Sequence, residues 1–254
     1  WDTYIGSASI VKGTFAKGEE TYSWLIAYCA TNDAEDRAFQ IGIAVAKDPM
    51  GTWTKLDAPV ITFDKNTYGA TSMGCYAPSV VNYNKESGIR IFYTYADTYG
   101  HFAYLWDANL ADLTKIDGQK AMLPTNGNLS GGDAELMFPN ADFAYDETNK
   151  KFVAVKDYSP SAGTKPNYAD RFELAEKELY TIEIGKGWTS LKLWDTFDLD
   201  NGYERAYSAC IVSDAYGHLL AGDIEIVYNV CDTAEANADY LYSQKLMTVT
   251  YTAE

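Results

Sequence analysis

Histidine is almost missing from this chain of 254 residues: His101 and His218 are the only two, far apart and each following a glycine, which argues against a histidine-based metal site. Cysteine is scarce as well. Cys29, Cys75, Cys210 and Cys231 show no CxxC spacing, so neither a zinc knot nor a redox pair is expected. Cys210 and Cys231 fall on two successive expected strands, where they are either a cross-strand pair or ordinary thiols acting as small hydrophobes. Basic residues are few, 20 against 36 acidic, giving a net charge of -16. A field of that sign repels phosphate backbones and anionic lipid, so nucleic acid and membrane surfaces are poor partners, and neutral ligands remain. No apolar run approaches the length needed to span a bilayer, and the start at Trp1 lacks the regions of a signal peptide; the chain reads as soluble and already processed. Its 7 prolines mark no interdomain linker, and composition does not break along the chain, so residues 1–254 are expected to form one domain. A phosphate-binding glycine loop and a serine-nucleophile motif are both absent.

What the sequence has in quantity is aromatic residues and repetition. Tyr is present 21 times and Trp 6 times, many of them alternating within apolar runs as packing residues would. A short run of small and β-branched residues followed by two aromatic strands occurs four times. The first copy runs from Ser7-Ala8-Ser9-Ile10-Val11 through Trp24-Leu25-Ile26 to Ile41-Gly42-Ile43. The second runs from Ala77-Pro78-Ser79-Val80-Val81 through Ile91-Phe92-Tyr93 to Phe102-Ala103-Tyr104. The third begins at Asn140-Ala141-Asp142-Phe143-Ala144, continues through Phe152-Val153-Ala154 and ends near Leu179-Tyr180-Thr181. The fourth begins at Ser208-Ala209-Cys210-Ile211-Val212, continues through Ile224-Glu225-Ile226 and ends near Tyr240-Leu241-Tyr242. Small sheets repeated in this way must bury both faces against their neighbours, which predicts an all-β propeller with four full repeats and any site at one end of its central channel. Residues 171–177 alone are expected to make a helical turn or two.

Several phrases carry a family resemblance. Ile41-Gly42-Ile43-Ala44-Val45-Ala46-Lys47-Asp48-Pro49, Tyr76-Ala77-Pro78-Ser79-Val80-Val81 and the entry Trp1-Asp2-Thr3-Tyr4 resemble the five-bladed propeller glycoside hydrolases of family 43, with families 32 and 68 as wider relatives. The resemblance implies a five-bladed propeller of which four repeats are visible here. It further implies three carboxylates on the inner strands of the first blades, two of them flanking a glycosidic bond as acid and base. Here the match departs from the pattern. Ala77 precedes Pro78, Met137 lies two before Pro139, and Ser7 and Ala8 stand at the equivalent place of the first repeat, with Asp2 earlier.

The carboxylates left for chemistry are Asp2, Asp133, Glu135, Asp142 and Glu204, of which Asp142, Glu135 and Glu204 are the candidate catalytic set. Aligning Phe143 with Val81 and Val212 puts Asp142 level with Val80 and Ile211; a slip of one residue reverses its facing and makes it a hydrogen-bonded strand-end residue. Tyr4, Tyr76, Phe138 and Tyr207, each just before an inner strand, and Arg205 are the candidate ligand-binding residues. No cofactor is called for, although the clusters Asp33, Glu35, Asp36 and Asp195, Asp198, Asp200 leave room for a structural Ca²⁺. The expected role is a secreted or cell-surface, carbohydrate-binding or carbohydrate-processing module that holds an oligosaccharide or polysaccharide in the funnel. The alternatives are an active hydrolase on arabinan or xylan, and a protein-interaction propeller.

Overall fold

The computed structural model describes residues 1–35, 37–69, 71–98, 100–123, 141–157, 171–178, 192–198, 202–203, 205–231 and 245–252. Four antiparallel sheets follow one another along the chain. Blade one holds β1 (Tyr4–Lys17), β2 (Glu20–Thr31), β3 (Gln40–Ala46) and β4 (Thr54–Lys55); blade two holds β5 (Gly74–Asn82), β6 (Gly88–Ala96), β7 (His101–Asn109) and β8 (Gln119–Met122). Blade three holds β9 (Asp142–Asp146), β10 (Lys151–Asp157), β11 (Arg171–Glu178) and β12 (Lys192–Asp198), and blade four holds β13 (Arg205–Ile211), β14 (Ile224–Cys231) and β15 (Lys245–Tyr251). Within each sheet the spatial order is the chain order. The first strands touch in series, β1 with β5, β5 with β9 and β9 with β13, so they are the inner strands of a β-propeller with four blades among the described residues.

Burial on both faces of each sheet explains the composition of the strands. In β6, Phe92 points toward blade three while Ile91 and Tyr93 point toward blade one, and nearly the whole strand is buried. That produces a continuous apolar run where a sheet with one wet face would alternate. Between blades two and three, Phe92 stacks on Phe143 at 4.0 Å and meets Phe152 edge-on at 4.9 Å. Burying each such ring contributes about 1.5–3 kcal/mol. Val153, Val155 and Leu174 fill the next interface against Ile226 and Tyr228.

One expectation is corrected, and one open alternative is decided. Residues 171–177 form strand β11 and not a helical turn, because Leu174 and Ala175 are buried in a sheet with partners on both sides, which outweighs the helix preference of Glu, Leu, Ala and Lys. Cys210 pairs opposite Val227 whereas Cys231 pairs opposite Arg205, so the two are too far apart along their strands for a disulfide. Cys210 is also exposed, while Cys29 and Cys75 are buried thiols.

The turn between β13 and β14 closes one end of the channel. Three consecutive carbonyls, of Ala215, Tyr216 and Gly217, accept hydrogen bonds from the backbone N–H groups of Lys12, Asn82 and Tyr145 at 2.6, 2.9 and 2.9 Å. Those three donors occupy the same level on β1, β5 and β9. Gly217 is placed there at φ 80, in the left-handed region that glycine tolerates, and a Cβ would lie 3.1 Å from the Val80 carbonyl. His218, 2% exposed, adds Nε2 at 2.8 Å from the Asn82 carbonyl and Nδ1 at 3.3 Å from Glu147. The end of the channel away from this turn carries no such closure among the described residues.

Candidate functional site

At the open end the inner strands are bulged. The register of β1 against β2 slips between Ile5 and Ala8, that of β5 against β6 between Tyr76 and Ser79, and that of β13 against β14 between Tyr207 and Cys210. An extra residue in a strand re-aims its side chains, and such bulges recur beside functional sites. Ala77 and Ser208, at matching places in blades two and four, have φ of 50 and 54, a conformation that costs a non-glycine residue about 1–3 kcal/mol. The side chains at these strained places, Ala77 and Ser208, carry no carboxylate.

Below the bulges, each inner strand grips the next through one side chain. Ser9 Oγ accepts from Val80 N at 3.0 Å, Ser79 Oγ accepts from Phe143 N at 2.9 Å, and Asp142 Oδ2 accepts from Ile211 N at 2.8 Å. Ser79 Oγ in turn donates to Asp142 Oδ1 at 2.7 Å. Asp142 thus stands level with Ser79, one residue from the level of Val80 on which the alignment through Val81 placed it. Partly buried, it ties blades two, three and four together. Burial pushes its carboxyl above the ordinary range, against the pull of Ser79 and of the Ile211 and Phe143 N–H groups.

The other candidates separate. Tyr4 is 44% exposed at the start of β1. Tyr76 is 8% exposed, and its hydroxyl lies 2.7 Å from His101 Nδ1, with the two rings edge to face. Burial lowers the pKa of His101, which favours the neutral ring. Asp2 lies away from the inner strands: its Oδ2 accepts from Lys55 Nζ on β4 at 2.6 Å and from Tyr28 hydroxyl at 3.1 Å, and the Lys55 bond holds its pKa below the usual value. Arg205 and Tyr207 lie on β13, opposite Cys231 and Asn229. Asp133, Glu135, Phe138 and Glu204 lie outside the described residues, as do Asp36 and Asp200 of the acidic clusters. Among the described residues no group of His, Cys, Asp and Glu is placed to hold a metal ion.

Sequence reasoning missed His101, Ser9 and Ser79. The serines did leave a signal, standing third in two of the repeated phrases. His101 left none, because its approach to Tyr76 depends on the pairing of three strands.

No protein family and no curated protein matches this chain by sequence. Solved structures do match in fold. The catalytic domain of a family 62 α-L-arabinofuranosidase from Coprinopsis cinerea superposes with a TM-score of 0.58 at 12% identity, over 97% of this chain and 73% of that one. An α-L-arabinanase from Cellvibrio cellulosa, solved with arabinohexaose, gives 0.53 at 13% identity over 98% and 74%. A β-fructofuranosidase from Schwanniomyces occidentalis, solved with fructosyl-erythritol, gives 0.57 at 9% identity; this chain spans less than half of it, 45%. The fold of the chain is therefore that of the β-propeller glycoside hydrolases.

Proposed function

We propose that this propeller is a carbohydrate module, secreted or at the cell surface, that holds a neutral oligosaccharide or polysaccharide in its funnel with hydrolysis lost or marginal. The observation that carries the reading is the state of Asp142. Both of its oxygens are engaged between blades, and the re-aimed bulge positions hold Ala77 and Ser208. Hydrolysis needs two carboxyl groups about 5–9.5 Å apart with one of them able to give up a proton to the leaving oxygen. Binding needs only an aromatic rim and hydrogen-bonding groups; in this reading the exposed ring of Tyr4 and the polar Tyr76–His101 pair contribute to them, together with Phe138, Arg205 and Tyr207. The fold shared with arabinan- and fructan-directed enzymes supports a sugar as the ligand, and the reading calls for no cofactor.

One feature favours the alternative of an active glycosidase. The raised pKa of Asp142 is the direction a general acid requires, with Glu135 or Glu204 as its partner. A glycan array run beside a hydrolysis screen on arabinan, xylan and aryl glycosides separates the two. Saturable binding without turnover is expected. Robust turnover that Asp142→Asn, Glu135→Gln or Glu204→Gln eliminates refutes the binding reading, and absence of both refutes a glycan role in favour of a protein-interaction propeller.

The five-bladed form is part of the proposal. Three clasps link blades one to four in series, and Ile10, at the level of Val80, Phe143 and Ile211, is 44% exposed, with Ile5 nearby at 62%. A fifth blade would complete the ring by covering this face of β1. Amide exchange at Ile10 as slow as at Val80 is the expected result, and free exchange there counts against a fifth blade.

A further inference from the structure

The geometry points to a second carbohydrate site, outside the funnel, in a cleft at the rim between blades one and two. The cleft is open to solvent and offers about 550 Å³ between residues 56–60 after β4 and residues 113–118 before β8. That is within the roughly 300–1,000 Å³ of small-molecule sites. Trp106 lies at its base, 2% exposed, and among the described residues its indole Nε1–H has no hydrogen-bond partner. Although the ring is buried, its N–H is not sealed from solvent, so it can donate to a ligand in the cleft. Gly118 borders the same edge of the ring. A Cβ on Gly118 would fall 2.0 Å from Nε1 and Cε2 of Trp106, so any larger residue would displace or cover the indole.

The rim fits one class of ligand. Lys17, Lys120 and Asp57 line the cleft and, among the described residues, make neither an ion pair nor a side-chain hydrogen bond, while Asp117 takes only a long bond of 3.4 Å from Gln119. Elsewhere on this surface opposite charges do pair, as Lys47 with Glu20 and Lys55 with Asp2. Around the cleft, cations and anions stand apart above an apolar base of Trp106, Leu113 and Val60. An anion would meet Asp57 and Asp117 as well as a net charge of -16, and a cation would meet both lysines. A neutral sugar has no such conflict. Its hydroxyls accept from Lys17, Lys120 and the indole N–H and donate to Asp57 and Asp117, while its C–H face lies on the apolar base.

The site stands independently of the funnel reading, and its test separates them. The full chain, labelled with ¹⁵N, is titrated with arabinohexaose, xylohexaose, a fructo-oligosaccharide and an oligogalacturonate, following the Trp106 indole resonance assigned with Trp106→Phe. At least one neutral oligosaccharide should shift that resonance saturably, and the oligogalacturonate should not. Lys120→Ala and Asp57→Ala should each weaken the titration about tenfold, the equivalent of one lost hydrogen bond. Gly118→Ala should abolish it, and Tyr76→Phe should leave it unchanged. The inference is overturned if no neutral oligosaccharide shifts Trp106, leaving water as the partner of the indole. It is equally overturned if the shift survives both Lys120→Ala and Gly118→Ala. Loss of glycan binding in Tyr76→Phe with the Trp106 titration intact bears on the funnel alone.

Discussion

Removing the Asp142 carboxylate should unfasten three blades at once. In Asp142→Ala the Ile211 N–H and the Ser79 hydroxyl lose the acceptors now at 2.8 and 2.7 Å. Each buried donor left without a partner costs about 1–3 kcal/mol, and Ser79 recovers part of its share because its hydroxyl already lies 3.4 Å from the Phe143 carbonyl. A net loss of about 2–4 kcal/mol follows, which for a chain of this size lowers Tm by roughly 6–12 °C. Asp142→Asn should cost less, since its amide oxygen still accepts from one of the two donors. The pH dependence has a definite sign. Burial raises the folded-state pKa of Asp142 above its unfolded value, so its contribution is fully present below the unfolded value near 3.8 and is lost as pH rises through the raised folded value. Urea titrations of the parent, Asp142→Ala and Asp142→Asn between pH 4 and pH 7 measure this, with exposed Asp48→Asn as control. The parent should lose more stability than Asp142→Asn as pH rises over that interval. Stability within about 0.5 kcal/mol of the parent in both variants, together with lost turnover on a glycan, would refute the clasp and make Asp142 a catalytic group.

Ser79→Ala should cost about 1–3 kcal/mol in urea unfolding, since Phe143 N then lacks its acceptor; Ser79→Thr should recover part of the loss, and no recovery points to packing. Gly13→Ala should destabilise by about 1–3 kcal/mol, because the added Cβ falls 2.6 Å from the Glu86 carbonyl, a backbone atom that cannot turn aside; a change in Tm indistinguishable from zero is the opposing result. Tyr76→Phe removes the hydroxyl that meets His101 and should weaken funnel binding on a glycan array while costing about 1 kcal/mol in stability, whereas Tyr4→Ala, at an exposed site, should leave Tm unchanged.

The repeated phrases made the propeller legible because every blade has the same problem to solve: an inner strand of small residues near the axis, then strands apolar on both faces. The clasps were half legible for the same reason, as Ser9 and Ser79 stand third in matching phrases. Asp142 belongs to that series, yet aligning it through Val81 displaced it by one residue. The cause is the choice of anchor: Phe143 was set against Val81, whereas the clasps set it against Val80, and in a run apolar on both faces a shift of one residue leaves the pattern unchanged. Strand β11 was misread because Glu-Leu-Ala-Glu-Lys has high helix propensity, and only its two neighbours in the sheet decide otherwise. The rim cleft was invisible to the sequence. It joins Lys17 of blade one to Lys120 of blade two, and nothing in either segment announces the other.

The clasps and the base closure divide the work of holding the ring. Each clasp joins only neighbouring blades, so by itself the series would tolerate an open, spiralling stack. The turn at 213–219 is different, because one short segment bonds to the inner strands of blades one, two and three together. Its contact with Lys12 spans about two hundred residues of chain, a closure whose entropic cost must be met before the contact gives anything back. Three backbone bonds and the buried His218 offset that cost at a single place. Without the turn between β13 and β14, the N–H groups of Lys12, Asn82 and Tyr145 would lack these acceptors. The bulged ends of β1, β5 and β13 lie at the opposite ends of the strands that this turn fixes, so their placement depends on a segment far from them along the channel.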